Sequence, residues 1–151
     1  MINLKPIERA LLNRVQSNFP ITKRPFQTIA CELKILEKDV IEMLKELKKK
    51  GFIRRIGGNF VPEKLGFVST LCAAKVPPKK IDVFTETVNK FKGVTHNYQR
   101  DNEFNVWFTF IAPSMEEIDK NLLYISKKTG VMDIINLPAT KVFKIKAQFD
   151  L

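Results

Sequence analysis

Hydrophobic residues in the first third of the chain recur at the three- and four-residue spacing of a single helix face. A first set follows Pro6, which suits the first turn of a helix, and ends before Pro20, because a residue preceding proline avoids the helical conformation. The same spacing predicts a second helix over 25–33 and a third over about 37–50, with Gly51 as its stop. The predicted inward positions are Ile7, Leu11, Leu12, Val15, Ile29, Leu33, Val40, Ile41, Leu44 and Leu47.

Residues 52–60 form two short apolar segments that flank Gly57 and Gly58. This arrangement predicts two short strands joined by a turn. Three helices followed by such a ribbon make a winged helix-turn-helix. Because the spacing changes again at 62–66, we predict a first domain over 1–62 and a second over 63–151.

The second part of the chain alternates between strand and helix patterns. Phe104, Val106, Phe108 and Phe110 alternate as in a strand with one buried face, and Ser114 lies three residues before Glu117, the spacing of a helix capping box. The predicted strands cover 69–76, 94–100, 104–112, 134–137 and 142–147, and the predicted helices cover 81–91 and 114–129. The order βαββαβ predicts an α+β, ferredoxin-like domain with helices on one sheet face and the other face open for a partner.

Composition and charge narrow the choice of partners. The formal net charge of +10 and the pI near 9.7 call for an anionic partner, which can be nucleic acid, an anionic membrane surface, or a polycarboxylate or phosphate ligand. No apolar run approaches 18 residues, and no signal peptide is visible, so we expect a cytoplasmic protein without a membrane segment. Cys31 and Cys72 lie far apart without metal-ligand spacing, and we expect both to be buried small hydrophobic residues.

A winged helix followed by a ferredoxin-like domain resembles the Lrp/AsnC transcription regulators. In a helix-turn-helix, bases are read by the start of the second helix of the motif, here about 37–43. That segment carries three carboxylates, on Glu37, Asp39 and Glu42, and one lysine, Lys38. Carboxylates are repelled by phosphates, so the sequence argues against nucleic acid as the partner.

The only histidine lies in a predicted strand with polar residues on both sides. Period two places His96, Tyr98 and Arg100 on one side of this strand. A hairpin loop of two or four residues aligns them with Asn105 and Trp107, whereas an odd loop aligns them with the phenylalanine face. We predict the even loop, because burying an arginine beneath phenylalanines costs free energy.

Several segments resemble the sirohaem decarboxylase family. The more specific matches are GVTHNYQR at 93–100 and NVWFT at 105–109; RRIG at 54–57, KLGFVST at 64–70, LPAT at 137–140, and FPI and RPF near 19–26 extend the resemblance over nearly the whole chain. The resemblance implies a subunit that removes two acetate carboxyl groups from sirohaem as carbon dioxide, giving didecarboxysirohaem, for alternative haem synthesis or for the haem of a nitrite reductase. It also implies pairing with a homologous second subunit, or with itself, around a pocket in the ferredoxin-like domains. Residues 142–149 are closer to the beta-type than to the alpha-type subunit, which implies a beta-type subunit.

The implied substrate is an apolar macrocycle bearing many carboxylates, so its site needs cations around aromatic walls. We predict that His96 supplies or relays the proton that replaces carbon dioxide, while Arg100 holds a carboxylate. Because the macrocycle can accept the electrons, no cofactor is required and no metal site is predicted, although His96 is also a candidate ligand for haem iron. The predicted substrate-binding residues are Arg54, Arg55, Asn97, Tyr98, Asn105, Trp107, Lys141 and Lys144.

Two other functions are compatible with the sequence. One is a DNA-binding, haem-responsive regulator of the Lrp/AsnC type, which steeply salt-dependent, sequence-selective DNA binding would identify. The other is a ligand-binding subunit that turns over sirohaem only through its homologous partner. Conversion of sirohaem by the isolated chain separates this second function from an autonomous enzyme.

Overall fold

A computed structural model describes residues 4–58, 60–144 and 149 of the chain. Contacts divide it into two compact units. The first comprises the described residues of Met1–Gly58 and Lys144–Leu151, and the second those of Asn59–Phe143. The predicted domain bounds of 1–62 and 63–151 were drawn from the spacing of apolar residues and stay predictions.

The first unit contains three helices, α1 (Pro6–Ser17), α2 (Pro25–Leu33) and α3 (Glu37–Lys49), as the apolar spacing predicted. Proline occupies the first turn of α1 and of α2, where the missing N–H has no helical partner to lose. Gly51, with φ 81°, follows the end of α3. The core of the unit consists of Leu4, Leu11, Leu12, Ile29, Ala30, Val40, Leu44 and Leu47.

Ion pairs connect the helices of this unit within the described residues. Arg14 of α1 binds the Glu32 carboxylate of α2, and this contact raises the pKa of Arg14 and lowers that of Glu32. Arg24, which precedes α2, donates to Glu37 at the start of α3 over 2.7 Å. Glu37, one of the carboxylates that argued against DNA binding, therefore already has a cationic partner.

The predicted wing does not form strands. Residues 52–58 and 60 are irregular in the part of the chain that the structure describes. The N–H groups of Phe52 and Ile53 both donate to the carbonyl of Leu47 at the end of α3, at 2.9 and 3.3 Å, so they do not pair with another strand. The predicted strand over 142–147 is likewise absent at 142–144, and its remaining residues lie outside the described ones.

The second unit begins with a 3₁₀ turn, Pro62–Leu65, and contains four strands and two helices. In chain order these are β1 (Val68–Ala74), α4 (Ile81–Asn89), β2 (Val94–Gln99), β3 (Val106–Ala112), α5 (Met115–Thr129) and β4 (Ile134–Pro138), with a second 3₁₀ turn, Pro78–Lys80, before α4. The sheet is antiparallel with the order β2-β3-β1-β4. The predicted α+β, ferredoxin-like order βαββαβ is confirmed. Ser114 also caps α5 as predicted, by accepting a hydrogen bond from the Glu117 N–H at 3.3 Å.

One face of the sheet packs under α4 and α5. Phe108 and Phe110 of β3 contact a fully buried layer in which Phe84 of α4 stands edge-on to Phe108 at 6.2 Å. Val88 of α4 and Ile125 of α5 are also fully buried in this layer. We call this side of the sheet the covered face and the opposite side the open face.

The two cysteines differ in environment. Cys72 of β1 lies in the core beneath the helices, and burial, followed by the negative charge of Asp119, raises the pKa of its thiol to about 12. Cys31 of α2 is exposed. The prediction of a buried small residue is therefore right for Cys72 and wrong for Cys31, which lies on the outer side of a short helix.

Candidate functional site

A β-bulge near the start of β2 determines which way the histidine points. Val94 pairs with Phe110 and packs against the covered core, whereas His96 pairs with Thr109, so β2 has one extra residue between them. Without this bulge, His96 would share the covered face with Val94, because side chains two residues apart in a strand point the same way. The bulge therefore turns His96 to the open face.

Gly93 permits the close approach of β2 to β3 at this point. Its carbonyl accepts the Ile111 N–H at 2.9 Å, and a Cβ at position 93 would lie only 2.0 Å from the Ile111 oxygen. No side chain fits in that space. Gly93 therefore has a specific role in starting the strand that carries the histidine.

The hairpin between β2 and β3 has the even register that the sequence predicted. Arg100 donates its backbone N–H to the Asn105 carbonyl at 2.8 Å, which leaves a four-residue loop, and Tyr98 pairs directly with Trp107. His96, Tyr98 and Trp107 thus share the open face. The prediction of an even loop is confirmed.

The aromatic and cationic side chains of this face are in contact with one another. The rings of His96 and Tyr98 are stacked at 6.0 Å between centroids with an interplanar angle of 30°. The Arg100 guanidinium lies 5.9 Å from the centre of the Trp107 ring. The Trp107 indole N–H donates to the Phe104 carbonyl at 2.6 Å, which holds the ring in place.

The imidazole itself is accessible. His96 is exposed, and its Nδ1 lies 3.1 Å from the Thr95 hydroxyl. Tyr98 is 52% exposed, so neither ring of the stacked pair is sealed beneath protein. A proton donor, a phenol, a guanidinium and an indole therefore line one accessible strip, which suits a flat ligand bearing carboxylates.

Apolar side chains continue the open face across the sheet. Leu71 of β1 pairs with Thr109 and with Leu137 of β4, and it is 42% exposed. Leu137 and Ile135 of β4 are 41% and 37% exposed. We did not predict these three residues as part of the site, because their place beside the strip depends on the order of the strands in the sheet.

Two predicted ligand-binding asparagines have structural partners. The Asn105 side chain makes two hydrogen bonds to the backbone of Val76. It accepts the Val76 N–H at 2.8 Å and donates to the Val76 carbonyl at 2.9 Å. Asn97 pairs with Phe108 on the covered face and donates to the Asn89 side chain at the end of α4, at 2.9 Å. The substrate-binding roles of both residues stay predictions, and neither amide is directed at the strip around His96.

The remaining predicted residues lie outside the strands that carry His96 and Trp107. Arg54 and Arg55 are exposed in the irregular segment of the first unit, and Lys144 belongs to that unit too. Lys141 belongs to the second unit, where its ammonium lies 5.3 Å from the ring centre of Phe143. Their substrate-binding roles also stay predictions.

Within residues 4–58, 60–144 and 149, no cluster of three or more His, Cys, Asp or Glu side chains is arranged to hold a metal ion. None of the helices described there is long and apolar enough to cross a bilayer.

The fold and the site together define a helix-turn-helix protein with an AsnC-type ligand-binding domain. The family model described as "AsnC-like ligand binding domain" matches residues 64–144, and "Siroheme decarboxylase NirDL-like HTH domain" matches residues 8–54. The leucine response regulatory protein (LrpA) of Mycobacterium tuberculosis has a similar fold, with a TM-score of 0.81 at 17% identity over 98% of this chain and 100% of that one.

The chain belongs to the sirohaem decarboxylase family. It is 47% identical over 149 residues to the siroheme decarboxylase alpha subunit of Desulfovibrio desulfuricans, covering 99% of this chain and 86% of the relative. A crystal structure of the siroheme decarboxylase NirDL in complex with an iron-uroporphyrin III analogue matches with a TM-score of 0.66 at 28% identity, over 91% of this chain and 46% of that one. The implied beta-type assignment is not confirmed, since the relative with 47% identity is named an alpha subunit.

Proposed function

We propose that this chain is the alpha-type subunit of a sirohaem decarboxylase. Together with a homologous second subunit, it removes two acetate carboxyl groups of sirohaem as carbon dioxide. The observation that carries the proposal is the strip of His96, Tyr98, Arg100 and Trp107 on the open sheet face. That strip lies in a chain that is 47% identical to a named alpha subunit of this enzyme.

The open face suits the chemistry of the substrate. Sirohaem combines a large apolar ring with several carboxylates, so it needs aromatic or aliphatic surface and cations together. Leu71, Leu137 and Trp107 offer the apolar surface, and Arg100 offers a planar donor that matches a carboxylate. The exposure of these side chains leaves a flat surface available for a ligand and a second subunit.

Each decarboxylation breaks one carbon–carbon bond and forms one carbon–hydrogen bond. The carboxylate leaves as carbon dioxide, its bonding electrons pass into the macrocycle, and one proton converts the remaining CH₂ group into a methyl group. No separate electron-accepting cofactor is required, because the conjugated ring delocalises the electrons. The reaction is therefore balanced by a single proton, which the protein has to deliver.

Within this proposal, His96 delivers the proton and Arg100 positions the acetate. The imidazole is accessible at the surface, and its stacking on Tyr98 limits its orientations. The Arg100 guanidinium lies over Trp107 in the next strand. Because Arg100 belongs to the same strip as His96, it can hold a carboxylate of the macrocycle that the imidazole protonates. An alternative role for His96 is coordination of the haem iron, since a neutral imidazole is a common axial ligand.

The experiment incubates sirohaem anaerobically in three separate reactions. They contain the chain alone, a homologous second subunit alone, and both subunits together. The mass of the tetrapyrrole reports successive losses of carbon dioxide. We expect two losses when both subunits are present. Absence of any loss in the presence of both would contradict the proposal, and conversion by the isolated chain would remove the need for the partner.

Replacement of His96 tests its role. His96→Ala should lower the rate by about 10²- to 10⁴-fold, the usual contribution of a general acid. The matched control is Gln99→Ala in the same strand, which pairs with buried Val106 and should leave the rate unchanged. Full activity of His96→Ala would exclude the histidine from proton delivery, and a changed spectrum of bound haem in this variant would indicate iron coordination.

Localisation follows from the proposed pathway and not from the structure. Haem synthesis from sirohaem uses cytoplasmic enzymes and substrates in this proposal, so we place the chain in the cytoplasm. Recovery of the native protein in the cytoplasmic fraction, with the activity, is the corresponding measurement.

A further inference from the structure

The helical unit contains a large apolar cavity that the proposed reaction does not use. It has a volume of about 860 Å³ and lies between α1, the irregular segment after α3, and Phe149. All of its lining residues belong to the first unit. Cavities of this size fall in the range of small-molecule sites, which is roughly 300–1,000 Å³.

The lining combines aromatic surface with positive charge. Among the residues that the structure describes, Phe19, Phe52 and Phe149 line the cavity, and the charged side chains in its lining are those of Arg9, Arg54 and Arg55. No carboxylate lies among these described lining residues. An apolar cavity bordered by guanidinium groups is complementary to an apolar ligand that carries carboxylates.

Several large apolar side chains at this cavity are left open to solvent. Ile21 is fully exposed, Phe52 is 41% exposed and Ile56 is 49% exposed. Covering such side chains with an apolar ligand is favourable, because it removes apolar surface from water. The charge and the exposed apolar surface thus favour the same kind of occupant.

Phe149 borders this cavity through a specific contact. The Gln16 side chain of α1 donates to the Phe149 carbonyl at 2.7 Å and accepts the Phe149 N–H at 3.1 Å. This pair of hydrogen bonds holds the Phe149 backbone against α1 as a neighbouring strand would. The Phe149 ring thereby becomes part of the wall.

We infer that this cavity is a second tetrapyrrole site, which binds an iron porphyrin that carries carboxylates. The porphyrin ring lies between the phenylalanines, and its carboxylates bind Arg9 and Arg54. The choice of a tetrapyrrole as occupant rests on the proposed function, since that function supplies the ligand class. The residues of this site belong to the helical unit, whereas the strip around His96 belongs to the other unit. It gives the helix-turn-helix unit a role in holding substrate or product.

The test is a titration of the full chain with iron-uroporphyrin III, followed by absorbance. It is performed on the double variant His96→Ala with Arg100→Ala, which removes the proposed reactive strip. We expect this variant to retain one porphyrin per chain. Adding Arg9→Gln should raise its Kd about tenfold, as expected for the loss of one charge-assisted hydrogen bond, and the charge-matched Lys45→Gln on α3 should leave the Kd unchanged.

A second variant fills the cavity without changing charge. Val15→Phe places a ring into the space beside Phe19 and should abolish the remaining porphyrin binding, with the helical content checked by circular dichroism. The inference is overturned if the strip variant binds no porphyrin, if Arg9→Gln and Lys45→Gln behave alike, or if the cavity variants alter only the oligomeric state. In the last case the surface belongs to a protein partner.

The two proposals fail in different experiments. If the cavity inference is wrong, Arg9→Gln keeps both porphyrin binding and decarboxylation in the otherwise unaltered chain. If the decarboxylase proposal is wrong, no carbon dioxide is lost from sirohaem, while iron-uroporphyrin III still binds to the strip variant in an Arg9-dependent manner.

Discussion

The two faces of the sheet use the same strands for opposite purposes. On the covered face, Phe108 and Phe110 of β3 are about 1–2% exposed and form a core with α4 and α5. On the open face, Trp107 and Thr109 of the same strand lie among partly exposed side chains beside His96 and Tyr98. Because side chains alternate between the two faces, one strand provides buried residues for stability and exposed residues for ligand binding. Substitutions at adjacent positions should therefore have different consequences.

The largest effect is expected from the covered face. Phe108→Ala removes a fully buried ring and should lower the free energy of unfolding by about 3–5 kcal/mol, measured by urea denaturation. The neighbouring Thr109→Ala, on the open face, should cost less than about 1 kcal/mol. Similar losses for the two variants would show that the faces are not separated in this way.

A smaller effect is expected where the residue that precedes β3 is tied to the segment that follows β1. Asn105→Ala leaves the N–H and the carbonyl of Val76 without their side-chain partner and should destabilise the protein by about 1–3 kcal/mol. The control is Asn102→Ala, which removes one exposed contact to the Phe104 N–H and should cost less. If Asn105→Ala weakens porphyrin binding and leaves stability unchanged, its predicted role in substrate binding is the better one.

The reactivity of the two cysteine thiols should differ between the interior of the covered face and an exposed helix position. Cys72 is buried, and burial raises the pKa of its thiol to about 12, so it has almost no thiolate at neutral pH. Cys31 is exposed. We expect an alkylating reagent to label one thiol in the native chain and two after denaturation, read by mass. In the Cys31→Ser variant the native chain should remain unlabelled.

The smallest effect concerns an ion pair between the hairpin loop and the end of β1. Lys75 donates to Glu103 at 2.6 Å, and this contact lowers the pKa of the carboxyl group and raises that of the ammonium. The ion pair therefore stabilises the folded protein at pH values between these two pKa values. This stabilisation is lost when acid protonates Glu103 or base deprotonates Lys75. Both groups are exposed, so Glu103→Gln should lower the melting temperature only slightly at neutral pH, and not at all in strong acid.

The helices were the easiest elements to predict. α2 has the bounds that the sequence indicated, and α1 and α3 also follow the predicted apolar spacing, since a helix satisfies its own hydrogen bonds locally. The wing was wrong because strands need a partner, and the apolar segments at 52–56 donate their first backbone bonds to the end of α3. Alternation by itself could not reveal that competition.

The candidate site was predictable in part. We predicted an even number of residues in the hairpin loop, because the odd number would bury Arg100. The even loop correctly aligned Tyr98 with Trp107. The double hydrogen bond of Asn105 to Val76 and the cavity beside α1 could not be predicted, since each depends on residues that are distant in sequence. The apolar continuation over Leu71 and Leu137 required the strand order.

By itself, the sequence determined the helices, the βαββαβ order and the family, because these follow from local spacing and from motifs that can be read along the chain. The parity of the hairpin loop also predicted that His96 faces outward, whereas only the tertiary structure showed how β2 reaches that direction from Val94, which packs on the covered face. Period two from partly buried Val94 would turn the imidazole under the helices, and the bulge beside Gly93 reverses that direction. A bulge is set by how two strands meet, and no single strand encodes it alone.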